Sequence, residues 1–166
     1  MNTTENFQNE TLNKLFASEP LLVMEALISI EQSIHIEYFP NMIKVLKETQ
    51  SAEIKNKIID ILSDVKDKNL KQIILNSLMD VTNKSIFKEL CTICWQSSID
   101  FSENLELFAQ ILIEEPLEVA IEALTVIEER IHECSDNQKN TLITYLNDNK
   151  EHIDSYKQKI LVDFLQ

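Results

Sequence analysis

The sequence predicts an all-α protein, an α-solenoid of about five antiparallel helix pairs. Three observations carry that expectation. Glycine is absent from all 166 residues and proline occurs three times. Sheet-rich and nucleotide-binding folds lean on glycine for positive φ and close backbone approach, so their absence favours helices joined by Asn, Asp and Ser turns. The apolar residues recur at helical spacing almost throughout. Alternate helices begin near residues 19, 51, 83, 115 and 151, in steps of 32, 32, 32 and 36 residues. A period of that size made of helix pairs marks a stack in which each pair buries its apolar face against its neighbours.

Taken in order, the spacing predicts helices near 8–18, 20–34, 38–49, 52–65, 68–81, 84–97, 102–114, 116–133, 136–149 and 151–165. Pro20 opens the second and Pro116 the eighth, at the first helical position, where a missing N–H costs nothing. In the fourth, Ile54, Ile58, Ile61, Leu62 and Val65 follow the i, i+3, i+4 rule of an amphipathic helix. Asp100 with Glu103 has capping-box spacing ahead of the seventh, and Ser135 with Gln138 has it ahead of the ninth. Three or four polar residues between helices leave no room for a sheet.

Two phrases echo across the chain. EPLLVMEALISIEQSIH (19–35) returns as EPLEVAIEALTVIEERIH (115–132), and IKNKII (54–59) returns as YKQKIL (156–161). The first pair shares Ala26/Ala123, Leu27/Leu124, Ile30/Ile127 and Ile34/Ile131 as expected packing residues, and differs outside at Gln32/Glu129. Polar matches beside the apolar ones point to a common packing role or an old duplication.

The stretch LNSLMDVTNKSIFKELCTICW (75–95) resembles a HEAT repeat, with Leu78 and Asp80 closing a first helix, an Asn-containing turn, and a second helix rich in Ile, Leu and small residues. CWQSSIDFS (94–102) is similar to a segment of small bacterial HEAT-repeat proteins. The resemblance implies a HEAT/ARM-like right-handed superhelix. In it the helices 20–34, 52–65, 84–97 and 116–133 line the concave side, with 151–165 closing the end.

Composition narrows the functional classes. The net charge of −13 opposes binding to the nucleic-acid polyanion and to anionic membrane surfaces. No apolar run approaches the roughly 20 residues that span a bilayer. MNTTENFQNE lacks the basic and then hydrophobic order of a secretory signal. Three cysteines, an odd number, do not form a disulfide framework, so a cytoplasmic location is expected.

Chemistry-bearing motifs are sparse. Cys91 and Cys94 form a CxxC, and His132 with Cys134 offers two further zinc donors. The CxxC lies inside an apolar helix, however, where buried cysteines at helix contacts are the simpler expectation. His35 and His132 close the two echoed helices, where an imidazolium complements the helix dipole. No nucleophile elbow, phosphate loop or metalloprotease helix appears, so neither an enzyme nor a cofactor is expected.

The charge distribution is more informative. Residues 89–133 hold eleven acids and a single base, Arg130. Glu118, Glu122, Glu129 and Glu133 are spaced 4, 7 and 4, which at 3.6 residues per turn draws one stripe. That stripe reads either as a solvated face or as a docking surface for a basic partner, favoured by long-range steering. Trp95, the only tryptophan, and Asp100 lie in the adjoining segment WQSSIDF. Trp95 fits a core position and an exposed hot spot equally well by spacing.

The expectation is a non-enzymatic scaffold that binds a basic protein or peptide through Glu118, Glu122, Glu129, Glu133, Trp95 and Asp100. Lysines gathered at 55–71 leave weak head-to-tail self-association open. A rival reading is an acidic inhibitor that mimics nucleic acid and occupies a DNA- or RNA-binding protein. A HEAT-scaffold enzyme such as a DNA glycosylase is a third, and the acidic charge argues against it.

Overall fold

The computed structural model describes the backbone of residues 3–165 and the side chains of residues 8–165. The described residues form ten α-helices joined by turns and short 3₁₀ segments, with no strand. No helix among them is long and apolar enough to cross a membrane. The chain divides into two compact units, Met1–Ile86 and Phe87–Gln166.

The first unit contains α1 (Thr3–Leu15), α2 (Pro20–Gln32), α3 (Phe39–Glu48), α4 (Ala52–Asp64) and α5 (Asn69–Met79). Its helices touch their sequence neighbours (α1 with α2, α3 with α4) and their next-but-one neighbours (α1 with α3, α2 with α4, α3 with α5). Pro20 starts α2 with its ring at the first helical position, and Val23, Ala26, Leu27 and Ile30 form the buried face. α3 buries Phe39, Met42, Ile43, Val45 and Leu46. Ser51 caps α4 by accepting from the Ile54 N–H, and Ile54, Ile58, Ile61 and Leu62 point inward, as the amphipathic spacing requires. Lys47 Nζ holds the 3₁₀ segment Val81–Ile86 through Thr82 Oγ1 at 3.1 Å and Asn83 Oδ1 at 3.0 Å.

The second unit contains α6 (Phe87–Gln96), α7 (Leu105–Glu114), α8 (Leu117–Arg130), α9 (Asp136–Asn149) and α10 (Ser155–Leu165). α8 is its hub, packed on α6, α7 and α10, while α7 also meets α9. Contact on several sides explains why α8 buries Val119, Ala120, Ala123, Leu124, Val126 and Ile127. Ala120 and Ala123 are fully buried and let neighbouring helices approach closely. Phe101 and Phe108 meet edge to face at 6.0 Å.

Lys157 fastens α10 to the end of α7. Its buried ammonium donates to the carbonyls of Leu112 at 3.3 Å, Ile113 at 2.6 Å and Glu115 at 3.0 Å. The last carbonyls of a helix have no intrahelical partner and carry its negative pole, so an ammonium placed there satisfies both needs.

Several expected boundaries move. The first helix runs Thr3–Leu15 rather than 8–18, and its expected last turn is non-helical. The helices expected to begin at 84 and 102 are preceded by 3₁₀ segments, Val81–Ile86 and Ser102–Asn104, and begin at Phe87 and Leu105. α8 ends at Arg130, and Ile131–Glu133 is a 3₁₀ turn. The last helix begins at Ser155 because Asp154 Oδ1 accepts from the N–H groups of Tyr156 at 3.0 Å and Lys157 at 3.1 Å. Pro116 stands one residue before α8 rather than inside it. The Ser135–Gln138 capping box is present. Asp100 instead makes a local turn, accepting from the Ser102 N–H at 2.8 Å, and does not cap α7.

The second echo is out of register. Ile54 is 4% exposed, whereas its match Tyr156 is 72% exposed, and the buried positions of α10 are Lys157 and Leu161. In the first echo Ala26/Ala123, Leu27/Leu124 and Ile30/Ile127 are all buried. Ile34 is 38% exposed, because α2 has already closed at Ser33, so that pair is not a packing pair.

Candidate partner-binding surface

The second unit carries the charge. Unit one has 12 acids against 9 bases, and unit two has 16 against 6. On α8 the buried positions occupy one side, and Glu118, Glu128 and Glu129 lie exposed on the other with Ile121. Glu118 sits in the first turn, where the positive pole of the helix favours a carboxylate. No ion pair joins Glu118, Glu122, Glu128 or Glu129 to another described residue.

Glu133 leaves the expected stripe. It belongs to the 3₁₀ turn after α8, where each residue advances about 120° rather than 100°. Its carboxylate lies 3.5 Å from Arg130 Nη1. Arg130 Nη2 also donates to the carbonyl of Ser97, so one guanidinium ties the end of α8 to the end of α6.

Trp95 and Glu122 meet. The indole Nε1 donates to Glu122 Oε2 at 2.7 Å, and the Thr92 hydroxyl reaches the same oxygen at 3.0 Å. Trp95 and Glu122 are both half-buried, so the tryptophan is neither a core residue nor a free surface ring. Thr92 is the residue that the sequence reading missed. It lies three positions before Trp95 on α6, hence on the same helical face, which is the signal that could have found it. Asp100 lies on the loop after α6 and accepts from the Ser102 N–H.

The candidate zinc donors are not gathered. Cys91 and Cys94 are buried within α6, and burial pushes both thiols far above their ordinary range, with Glu122 and Cys91 respectively adding to the shift. His132 is exposed, and Cys134 donates its thiol to the Ser102 carbonyl at 3.4 Å. No group of three or more His, Cys, Asp or Glu among the described residues is arranged to hold a metal ion. His35 lies exposed beyond the end of α2, 3.2 Å from the Ser33 hydroxyl.

Comparison with family models, with curated proteins and with solved structures finds no match to this chain.

Proposed function

We propose that the chain is a non-enzymatic protein-interaction module, a HEAT-like α-solenoid of the cytoplasm whose acidic α8 surface docks a basic protein or peptide. The observation that carries the reading is the set of exposed glutamates on α8, Glu118, Glu128 and Glu129, without an ion-pair partner among the described residues. Uncompensated like charges on one helix face raise the local potential, which speeds encounter with a cation and is relieved when one arrives. The solenoid reading is supported within each unit by the contacts between next-but-one helices, α2 with α4 in one and α6 with α8 and α8 with α10 in the other.

Titration of the protein with a lysine-rich peptide tests the docking surface. Neutralising Glu118, Glu128 and Glu129 together to glutamine is expected to weaken binding roughly tenfold or more at about 0.1 M salt, where unscreened charge still acts over about 10 Å. Neutralising Glu19, Glu25, Glu31 and Glu37 of the first unit should leave the affinity within about twofold. Unchanged affinity in the α8 variant would overturn the proposal.

A further inference from the structure

Glu122 differs from the other glutamates of α8 in being half-buried and in receiving two donors on one oxygen. Trp95 Nε1 and Thr92 Oγ1 both reach Oε2, and no described residue donates to Oε1. The Thr92 hydroxyl has a single proton and also faces the Lys88 carbonyl at 3.0 Å, so the indole N–H is the constant donor. A carboxylate drawn partly out of water ordinarily gains a cation or a full set of donors. Glu122 has neither, and its aromatic neighbour is itself only half-covered.

Resting on the docking reading above, we propose that Trp95 and Glu122 form a receptor for an arginine side chain of the basic partner. The guanidinium donates to Glu122 Oε1 while lying against the indole. A guanidinium suits this pair better than an ammonium because it is planar, stacks on aromatic faces and is more weakly hydrated. The bond from indole to carboxylate already fixes both groups, so little side-chain freedom is lost when the arginine arrives. The exposed glutamates of α8 attract any polycation, and this pair distinguishes among them.

Trp95 is the only tryptophan of the chain, so its emission reports on this site alone. The full-length protein is titrated with an arginine-rich peptide and with a lysine peptide of equal length and charge, at about 0.15 M salt, by fluorescence and by calorimetry. The arginine peptide is expected to bind roughly three- to fivefold tighter, the factor that corresponds to an exposed cation–π contact, and to shift the Trp95 emission. Glu122→Gln, which keeps an acceptor for the indole, should abolish that preference, while Glu129→Gln weakens both peptides alike. Trp95→Phe, followed by calorimetry, should lower the preference as well. Equal affinities with an unmoved Trp95 emission would overturn this inference and leave the docking reading standing. Failure of both peptides to bind would overturn the docking reading itself.

Discussion

α2 and α8 are written in nearly the same letters and do different things. Ala26, Leu27 and Ile30 of α2 are buried, as are Ala123, Leu124 and Ile127 of α8. The residue before each alanine is a glutamate, and there the likeness ends. Glu25 lies 3.6 Å from Lys14 of α1, and Glu31 lies 2.7 Å from Lys57 of α4, so the acids of α2 are answered by neighbouring helices. Glu122 meets Trp95 and Thr92 of α6 instead, and Glu128, which corresponds to Glu31, meets no cation among the described residues. The role of a repeated glutamate is therefore set by what the adjoining helix supplies. Packing letters fix where a helix sits, and its neighbours decide what its outer face is for.

The strongest test of the shared packing is to truncate the same position in both helices. Ile30→Ala and Ile127→Ala should each cost about 3 kcal/mol, since both side chains are almost fully buried and leave a cavity. Equilibrium denaturation measures the loss. If one truncation costs under about 1 kcal/mol, the two helices are not packed alike, whatever their letters. Lys157→Met comes next. It removes the ammonium that satisfies three carbonyls at the end of α7 and should cost about 2–3 kcal/mol. Lys57→Met removes only a partly exposed ion pair and should cost about 0.5 kcal/mol.

The all-helical class and the run of helices were legible because helix spacing and capping are local. The ten helices, the buried face of α4 and the Ser135 capping box all depend on residues within a turn or so of each other. What the sequence could not disclose depends on tertiary contact. Nothing in YKQKIL indicates that Lys157, rather than an apolar neighbour, turns inward, because the cause is a row of carbonyls more than 40 residues earlier in the chain. The boundary at Asp154 could have been read from its capping side chain, and the continuous helical spacing of 151–165 hid it. At the candidate site, spacing put Glu118, Glu122 and Glu129 on one face of a single helix. It could not separate Glu122 from the rest, since that distinction comes from Trp95 and Thr92 on another helix.

Replacing each echoed glutamate by glutamine sharpens that distinction. Glu122→Gln keeps the shape but weakens the charge-assisted bond from the indole, and the one the Thr92 hydroxyl shares with the Lys88 carbonyl, at a half-buried position, and should cost about 1 kcal/mol. Glu25→Gln removes a largely exposed ion pair at 3.6 Å and should cost about 0.3 kcal/mol. The loss is measured by denaturation, with Trp95 emission as a second reading for the first variant. Equal costs would mean that the indole and threonine add nothing to what a surface lysine supplies.

The smallest expected effect separates the two helices by salt alone. Glu118 and Glu122 are four residues apart on α8, as Glu129 and Glu133 are in sequence, and like charges at that spacing within a helix cost a few tenths of a kcal/mol. Raising the salt from about 0.05 to 0.5 M shortens the screening length from above 10 Å to below 5 Å and relieves that repulsion. On α2 the same change weakens the attractions of Glu25 to Lys14 and of Glu31 to Lys57. Amide hydrogen exchange followed helix by helix should therefore show α8 gaining protection with salt, by about 0.3 kcal/mol, while α2 holds steady or loses a little. The sign matters more than the size. If α8 loses protection as salt rises, its glutamates are held by attraction within the molecule, and they are not free to receive a basic partner.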